Sequence, residues 1–161
     1  EEDKMAVKEH VGKKAKDFTL RDQNLKKFQL SKFRGKRRLL LSFHPLAWTG
    51  ICARQMKSLE KNQAKFDSLN TVAVGLSVDS VPCKEAWAKS LKIKNTRLLA
   101  DFWPHGGVAK KYGVFRDKNG IAERANIIVD EKGTIVFIKI YPIKELPKIS
   151  EVIKFLKTMN R

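Results

Sequence analysis

Leu39-Leu40-Leu41-Ser42-Phe43-His44-Pro45, followed at once by Gly50-Ile51-Cys52-Ala53-Arg54-Gln55-Met56, is the stretch on which the fold turns. Its first five residues are apolar but for Ser42 and do not alternate, the pattern of a strand covered on both faces. Pro45 has no N–H to give to a ladder and ends the strand. From Gly50 to Phe66 the apolar residues Cys52, Met56, Leu59 and Phe66 recur at spacings of four, three and seven, one face of a helix. A buried strand that hands over to an amphipathic helix opens an α/β unit. The handover is also where open α/β sheets bind ligands, and Cys52 stands on it.

Working outward, Phe18-Thr19-Leu20 and Phe28-Gln29-Leu30 are short strands joined by a polar turn, and Val72 to Val78 is a second buried strand. Asp79 and Ser80 offer N-caps, and Pro82 suits the opening turn of a helix through Trp87 and Leu91. Leu98 to Ala100 is a short strand, and Gly107 to Tyr112 a short helix closed by Gly113. Ala125 to Val129 and Thr134 to Ile140 flank Asp130-Glu131-Lys132-Gly133, the turn of an antiparallel hairpin. Pro147 opens a last helix with Ile149, Val152, Ile153 and Leu156 on one face. This order predicts an α/β, thioredoxin-like fold: a central mixed β-sheet flanked by helices, with an N-terminal β extension, in one domain over residues 1–161.

The 161 residues are 42% hydrophobic, enough for a normal core. No apolar run approaches the roughly 18 residues of a membrane span. Glu1-Glu2-Asp3-Lys4-Met5 is charged where an export leader is apolar, so the expected location is cytoplasmic and no membrane partner is expected. Two cysteines do not make a disulfide scaffold, and neither has zinc-ligand spacing; no metal or cofactor is expected. The 34 Lys plus Arg against 17 Asp plus Glu give a net charge of +17. These residues are spread along the chain, with a modest concentration at Lys32, Arg34, Lys36, Arg37 and Arg38. Such a surface attracts nucleic acid only nonspecifically, and no nucleic-acid-binding motif accompanies it.

A thiol in the first helical turn feels the helix dipole and unpaired N–H groups, both of which favour thiolate. Thr49 can offer its hydroxyl to the sulfur or to a substrate oxygen. Pro45 can shield the site from water. Cys83 also lies near a helix start.

Pro45-x-x-x-Thr49-x-x-Cys52 resembles the active-site motif of the peroxiredoxins, the AhpC/TSA superfamily. Asp17-Phe18-Thr19-Leu20, Leu30-Ser31-Lys32-Phe33-Arg34-Gly35-Lys36 and Ser77-Val78-Asp79 extend the similarity along the chain. The block Asp101-Phe102-Trp103-Pro104-His105-Gly106-Gly107-Val108-Ala109, with Tyr112-Gly113-Val114-Phe115, is similar to the alkyl hydroperoxide reductase E type. The resemblance implies an antioxidant thiol-dependent peroxidase that reduces hydrogen peroxide or organic hydroperoxides through a Cys52 sulfenic acid, without a cofactor. In it Cys52 is the peroxidatic cysteine, Thr49 orients peroxide, Pro45 shields, and Arg124, at the start of the late strand, reaches the thiolate. The same resemblance implies a homodimer and an external thiol reductant such as a thioredoxin- or glutaredoxin-type protein.

Two mechanisms stay open. Cys83 can resolve the sulfenic acid as a Cys52–Cys83 disulfide, as a cysteine in this helix does in some peroxiredoxins, whereas the E type works with one cysteine and an outside thiol. Lys16 stands where the family commonly has proline, and His44 where Phe or Tyr is usual; His44 reads as a packing residue. Trp48 and Trp103 read as lining the pocket and a subunit contact. The rivals are a thioredoxin-like disulfide reductase and a basic nucleic-acid-binding or holdase protein. Thr49 replaces the first cysteine of the former, and no proline lies between Lys118 and Tyr141 to serve as its substrate clamp.

Overall fold

The computed structural model describes residues 9–160; the charged opening Glu1 to Met5 lies outside them. Strands β1 (Thr19–Arg21) and β2 (Lys27–Gln29) form the N-terminal antiparallel hairpin. A central sheet contains β3 (Arg38–Phe43), β4 (Thr71–Ser77), β5 (Arg97–Ala100), β8 (Arg124–Val129) and β9 (Ile135–Tyr141), in the order β5-β4-β3-β8-β9. β3 and β4 pair in parallel, as do β4 and β5, while β8 runs antiparallel to both β3 and β9. The sheet is mixed, as expected.

Every residue of β3 is buried because alternate side chains enter two separate cores. Leu39, Leu41 and Phe43 join Phe18, Phe28, Ala109 and Tyr112 on one face. Leu40 points the other way, into Met56, Leu59, Phe66, Trp87 and Leu156. That second core is closed by the helices α1 (Gly50–Lys61), α2 (Gln63–Ser68), α3 (Val81–Leu91) and α5 (Ile149–Thr158). The short α4 (Gly107–Lys111) closes the first. This mixed sheet flanked by helices is the thioredoxin-like fold that the element order predicts.

Beyond one-residue shifts at strand ends, two helix boundaries and one added hairpin differ from the sequence reading. The helix expected to run from Gly50 to Phe66 breaks at Asn62, whose backbone (φ −104°, ψ 16°) leaves the helical region. Its side-chain amide donates to Ser58 O at 2.8 Å, a local bond of the kind that competes with helix continuation. The last helix starts at Ile149, with Lys148 as its N-cap, so Pro147 precedes it rather than opening it. A small hairpin of β6 (Phe115–Arg116) and β7 (Ile121–Ala122) has strands too short to leave a period in the sequence. By contrast Ser80 caps α3 as expected, its hydroxyl facing Cys83 N at 3.4 Å, and Gly133 takes the left-handed backbone (φ 84°) of the β8–β9 turn.

Among the described residues no helix is long and apolar enough to cross a membrane.

Candidate active site

Where β3 ends, Pro45 to Thr49 cross to α1. Trp48 carries this turn in left-handed backbone (φ 67°), unusual for a bulky residue. Asp79, two residues past the end of β4, anchors it: Oδ2 accepts from Ala47 N at 2.8 Å and from Ser77 Oγ at 2.5 Å. Thr49 is the N-cap of α1 in extended backbone, and its carbonyl accepts the first helical bond from Ala53 N. Its hydroxyl does not cap the helix. It donates instead to Leu46 O at 2.9 Å, which tightens the turn.

Cys52 follows in the first turn of α1, with no exposed surface. Arg124, also buried, opens β8 directly across the site. Its Nη1 lies 3.4 Å from Cys52 Sγ, Nη1 also donates to Gln55 Oε1 at 2.8 Å, and Nε donates to Ile143 O at 2.9 Å. The guanidinium is thus fixed from two sides while it faces the sulfur. Sequence reading placed Cys52 and Arg124 in one site, and the structure brings them together across 72 positions of chain.

Gln55 was missed. It sits one turn beyond Cys52 on the buried face of α1, and its amide donates to Ser42 Oγ at 2.8 Å and to Phe43 O at 3.1 Å. Ser42 in turn donates to Asn126 Oδ1 at 2.8 Å. The one available signal was a glutamine on an otherwise apolar helix face three residues after the cysteine. A buried amide needs partners on both its oxygen and its nitrogen, and here Arg124 and the end of β3 supply them.

Pro45, Leu46, Thr49, Gly50, Ile51, Ile121, Arg124, Ile143 and Lys144 line a cavity of about 320 Å³ over this site. Pro45 is buried in its wall. Ile121 and Ile143 come from β7 and from the segment after β9, and sequence reading assigned neither to the site.

Residues 11–138 match the family model described as the AhpC/TSA family. The chain belongs to that family. It is 42% identical over 128 residues to alkyl hydroperoxide reductase E of Mycobacterium tuberculosis, covering 80% of this chain and 83% of the relative. To peroxiredoxin-1 of Gallus gallus it is 31% identical over 163 residues, covering 95% and 80%. The reduced 2-Cys peroxiredoxin of Plasmodium vivax superimposes with a TM-score of 0.85 at 26% identity, covering 94% of this chain and 82% of that one. This AhpC/TSA protein is a peroxiredoxin, a thiol-dependent peroxidase.

Other residues singled out in the sequence of this AhpC/TSA member take varied places. Cys83 is a free, half-buried thiol in the first turn of α3, with Sγ 3.7 Å from Asp79 Oδ1. Burial, and then the Asp79 charge, raise its pKa, against a lowering bond from Trp48. His44 is wholly buried and packs on Trp87 with ring centroids 5.4 Å apart, yet it is more than an aromatic filler, because Nε2 lies 3.0 Å from Lys84 Nζ. His105 is exposed and ties its ring to Gly120 O at 2.7 Å. Trp48 and Trp103 do not line the cavity in the single chain; they are 56% and 80% exposed.

Proposed function

We propose that the chain reduces hydroperoxides by in-line attack of Cys52 Sγ on the O–O bond. The sulfur–oxygen bond forms as the O–O bond breaks, the sulfur is oxidised to sulfenic acid, and the leaving oxygen takes up a proton to depart as water or an alcohol. Arg124 stabilises the thiolate and donates to the peroxide oxygens as charge moves onto them. The observation that carries this reading is Arg124 Nη1 at 3.4 Å from a buried sulfur, on a guanidinium already fixed by Gln55 and Ile143. Thr49, at the mouth, orients the peroxide, and Pro45 keeps bulk water from the sulfur. Leu46, Ile51, Ile121 and Ile143 give the cavity apolar walls suited to the carbon chain of an organic hydroperoxide. Stopped-flow consumption of cumene hydroperoxide and hydrogen peroxide tests this: turnover abolished by Cys52→Ser is expected, and unchanged turnover would refute it.

For the second half-reaction we favour Cys83 as the resolving thiol, giving a Cys52–Cys83 disulfide. Support comes from Asp79, which bonds Ala47 N of the Cys52 turn and also lies beside Cys83 Sγ, so one side chain joins both cysteine segments. The second reading, an external thiol acting on the sulfenic acid, is favoured by the raised pKa of Cys83, which leaves it a weak nucleophile in the reduced state. Disulfide mapping after one equivalent of peroxide separates them. In either case the reductant is a thiol, such as a thioredoxin- or glutaredoxin-type protein. The exposed Leu46, Trp48, Phe102 and Trp103 offer an apolar surface for a second copy in a homodimer. The charge of +17 gives only nonspecific contact with nucleic acid.

A further inference from the structure

Lys84 on α3 has no exposed surface, and among the described residues the hydrogen-bond partner of its Nζ is His44 Nε2, 3.0 Å away. The other ring nitrogen, Nδ1, lies 3.4 Å from Ser42 O. A carbonyl only accepts, so the ring proton is assigned to Nδ1; Nε2 is then the acceptor and Lys84 the donor. An ammonium with three N–H groups and one neutral acceptor is poorly repaid for its lost water. Burial accordingly brings the amine down to about 8, against raising effects of Asp79, Cys83, Cys52 and Asp101. Burial, and then Lys84, hold His44 well below its usual 6.5, Ser42 O opposing and Arg124 adding, so at neutral pH the positive charge of the pair resides on the lysine.

This pair lies against the helix that carries the reactive thiol. Met56, one turn past Cys52 on the buried face of α1, and His44 crowd the same spot over Gly75, where an added Cβ would overlap Met56 Sδ and stand 3.3 Å from His44 Cε1. Trp87 lies under the pair, its ring 5.4 Å from that of His44 and 5.6 Å from Lys84 Nζ. Cys52, Met56 and Trp87 share one apolar cluster, with Cys83 packed against it. Little water can screen charges there.

We propose that Lys84, seated on His44, is a second positioning cation for the Cys52 thiolate, acting through the packed interior where Arg124 acts by direct contact. The proposal rests on Cys52 being the reacting thiol. The charges that act on the pair are those of Asp79 before α3, Cys83 on α3, Cys52 on α1, Asp101 after β5 and Arg124 on β8. Of these, Cys52 is the one whose charge peroxide removes in the first half-reaction. Reciprocity follows: the thiolate holds the Lys84 proton, and its conversion to a neutral sulfenic acid loosens that proton.

Lys84→Met keeps the volume and removes the charge. In a Cys83→Ser background, the iodoacetamide reaction of Cys52 followed against pH should shift its midpoint upward by about one pH unit in Lys84→Met. Below the midpoint that is about a tenfold slower reaction, a loss that raising the pH restores. His44→Phe should move the midpoint the same way. The reciprocal measurement is the titration of Lys84 by ¹⁵N NMR in the otherwise unaltered chain, which should move to lower pH in Cys52→Ser. Superimposable alkylation profiles for a folded Lys84→Met variant, or a Lys84 titration indifferent to Cys52→Ser, would overturn the proposal. If Lys84→Met fails to fold, the NMR titration decides alone. Peroxide turnover surviving in Cys52→Ser would instead refute the assignment of the reacting thiol.

Discussion

Arg124 Nη1 stands nearer to Gln55 Oε1, at 2.8 Å, than to Cys52 Sγ, at 3.4 Å. The guanidinium is therefore aimed by the glutamine and not by the sulfur alone. Gln55→Leu removes that acceptor and also the donor that Ser42 Oγ and Phe43 O receive. The second-order rate with peroxide should fall about tenfold, since misaiming that costs about 1.4 kcal/mol in the transition state is worth that factor. Urea unfolding should register a loss of about 1–3 kcal/mol from buried groups left unpaired.

Arg124→Lys keeps the charge but not the fork. The ammonium cannot hold Gln55 Oε1 and Ile143 O while also facing the sulfur and a peroxide oxygen. Loss of one aligned donor at a developing oxyanion costs about a hundredfold or more in rate. Stopped-flow kinetics should find Arg124→Lys nearer to Arg124→Met than to the parent chain.

Glu60, near the end of α1, receives the backbone N–H groups of Lys94, Asn95 and Thr96 and the Thr96 hydroxyl, at 2.8 to 3.2 Å. Burial raises its pKa, but the bonds from Lys94, Thr96 and Asn95 outweigh it and hold the folded-state value below 4.5. Because the folded value is depressed, the carboxylate's stabilisation is complete above the unfolded value and disappears as pH falls through the folded one. Glu60→Gln should thus lower stability at pH 7, and the gap to the parent should narrow in urea melts at about pH 3.

Gly75, in the middle of β4, has no room for a methyl group between Met56, Leu98 and His44. All three are fully buried, so the core must shift to admit one. Gly75→Ala should destabilise the chain by about 1–3 kcal/mol, read as a lower urea midpoint.

The sequence made legible what depends on local pattern. The unbroken apolar run of β3, the period of α1 and the cap at Ser80 set the sheet centre and placed Cys52 in a first helical turn. The hairpin turn around Gly133 likewise announced itself through chemistry that acts over a few residues. Arg124 was placed through the motif's resemblance, not through any signal in its own neighbourhood. Gln55 escaped notice because its meaning lies in its partners, which come from β3 and β8. Lys84 resembled any lysine of a basic helix until packing put it on His44. Ile121 and Ile143 join the cavity only through a short hairpin and a turn after β9 that carry no periodicity. Thr49 was read for its hydroxyl, whose resting partner, Leu46 O, depends on the tight turn through Trp48.

The most direct test of the account traps the sulfenic acid. The reduced Cys83→Ser variant, given one equivalent of hydroperoxide in the presence of dimedone and digested for mass spectrometry, should carry the dimedone adduct on the peptide containing Cys52 and on no other. An unmodified Cys52 peptide with undiminished peroxide, or an adduct formed equally well in a variant lacking Arg124, would contradict it.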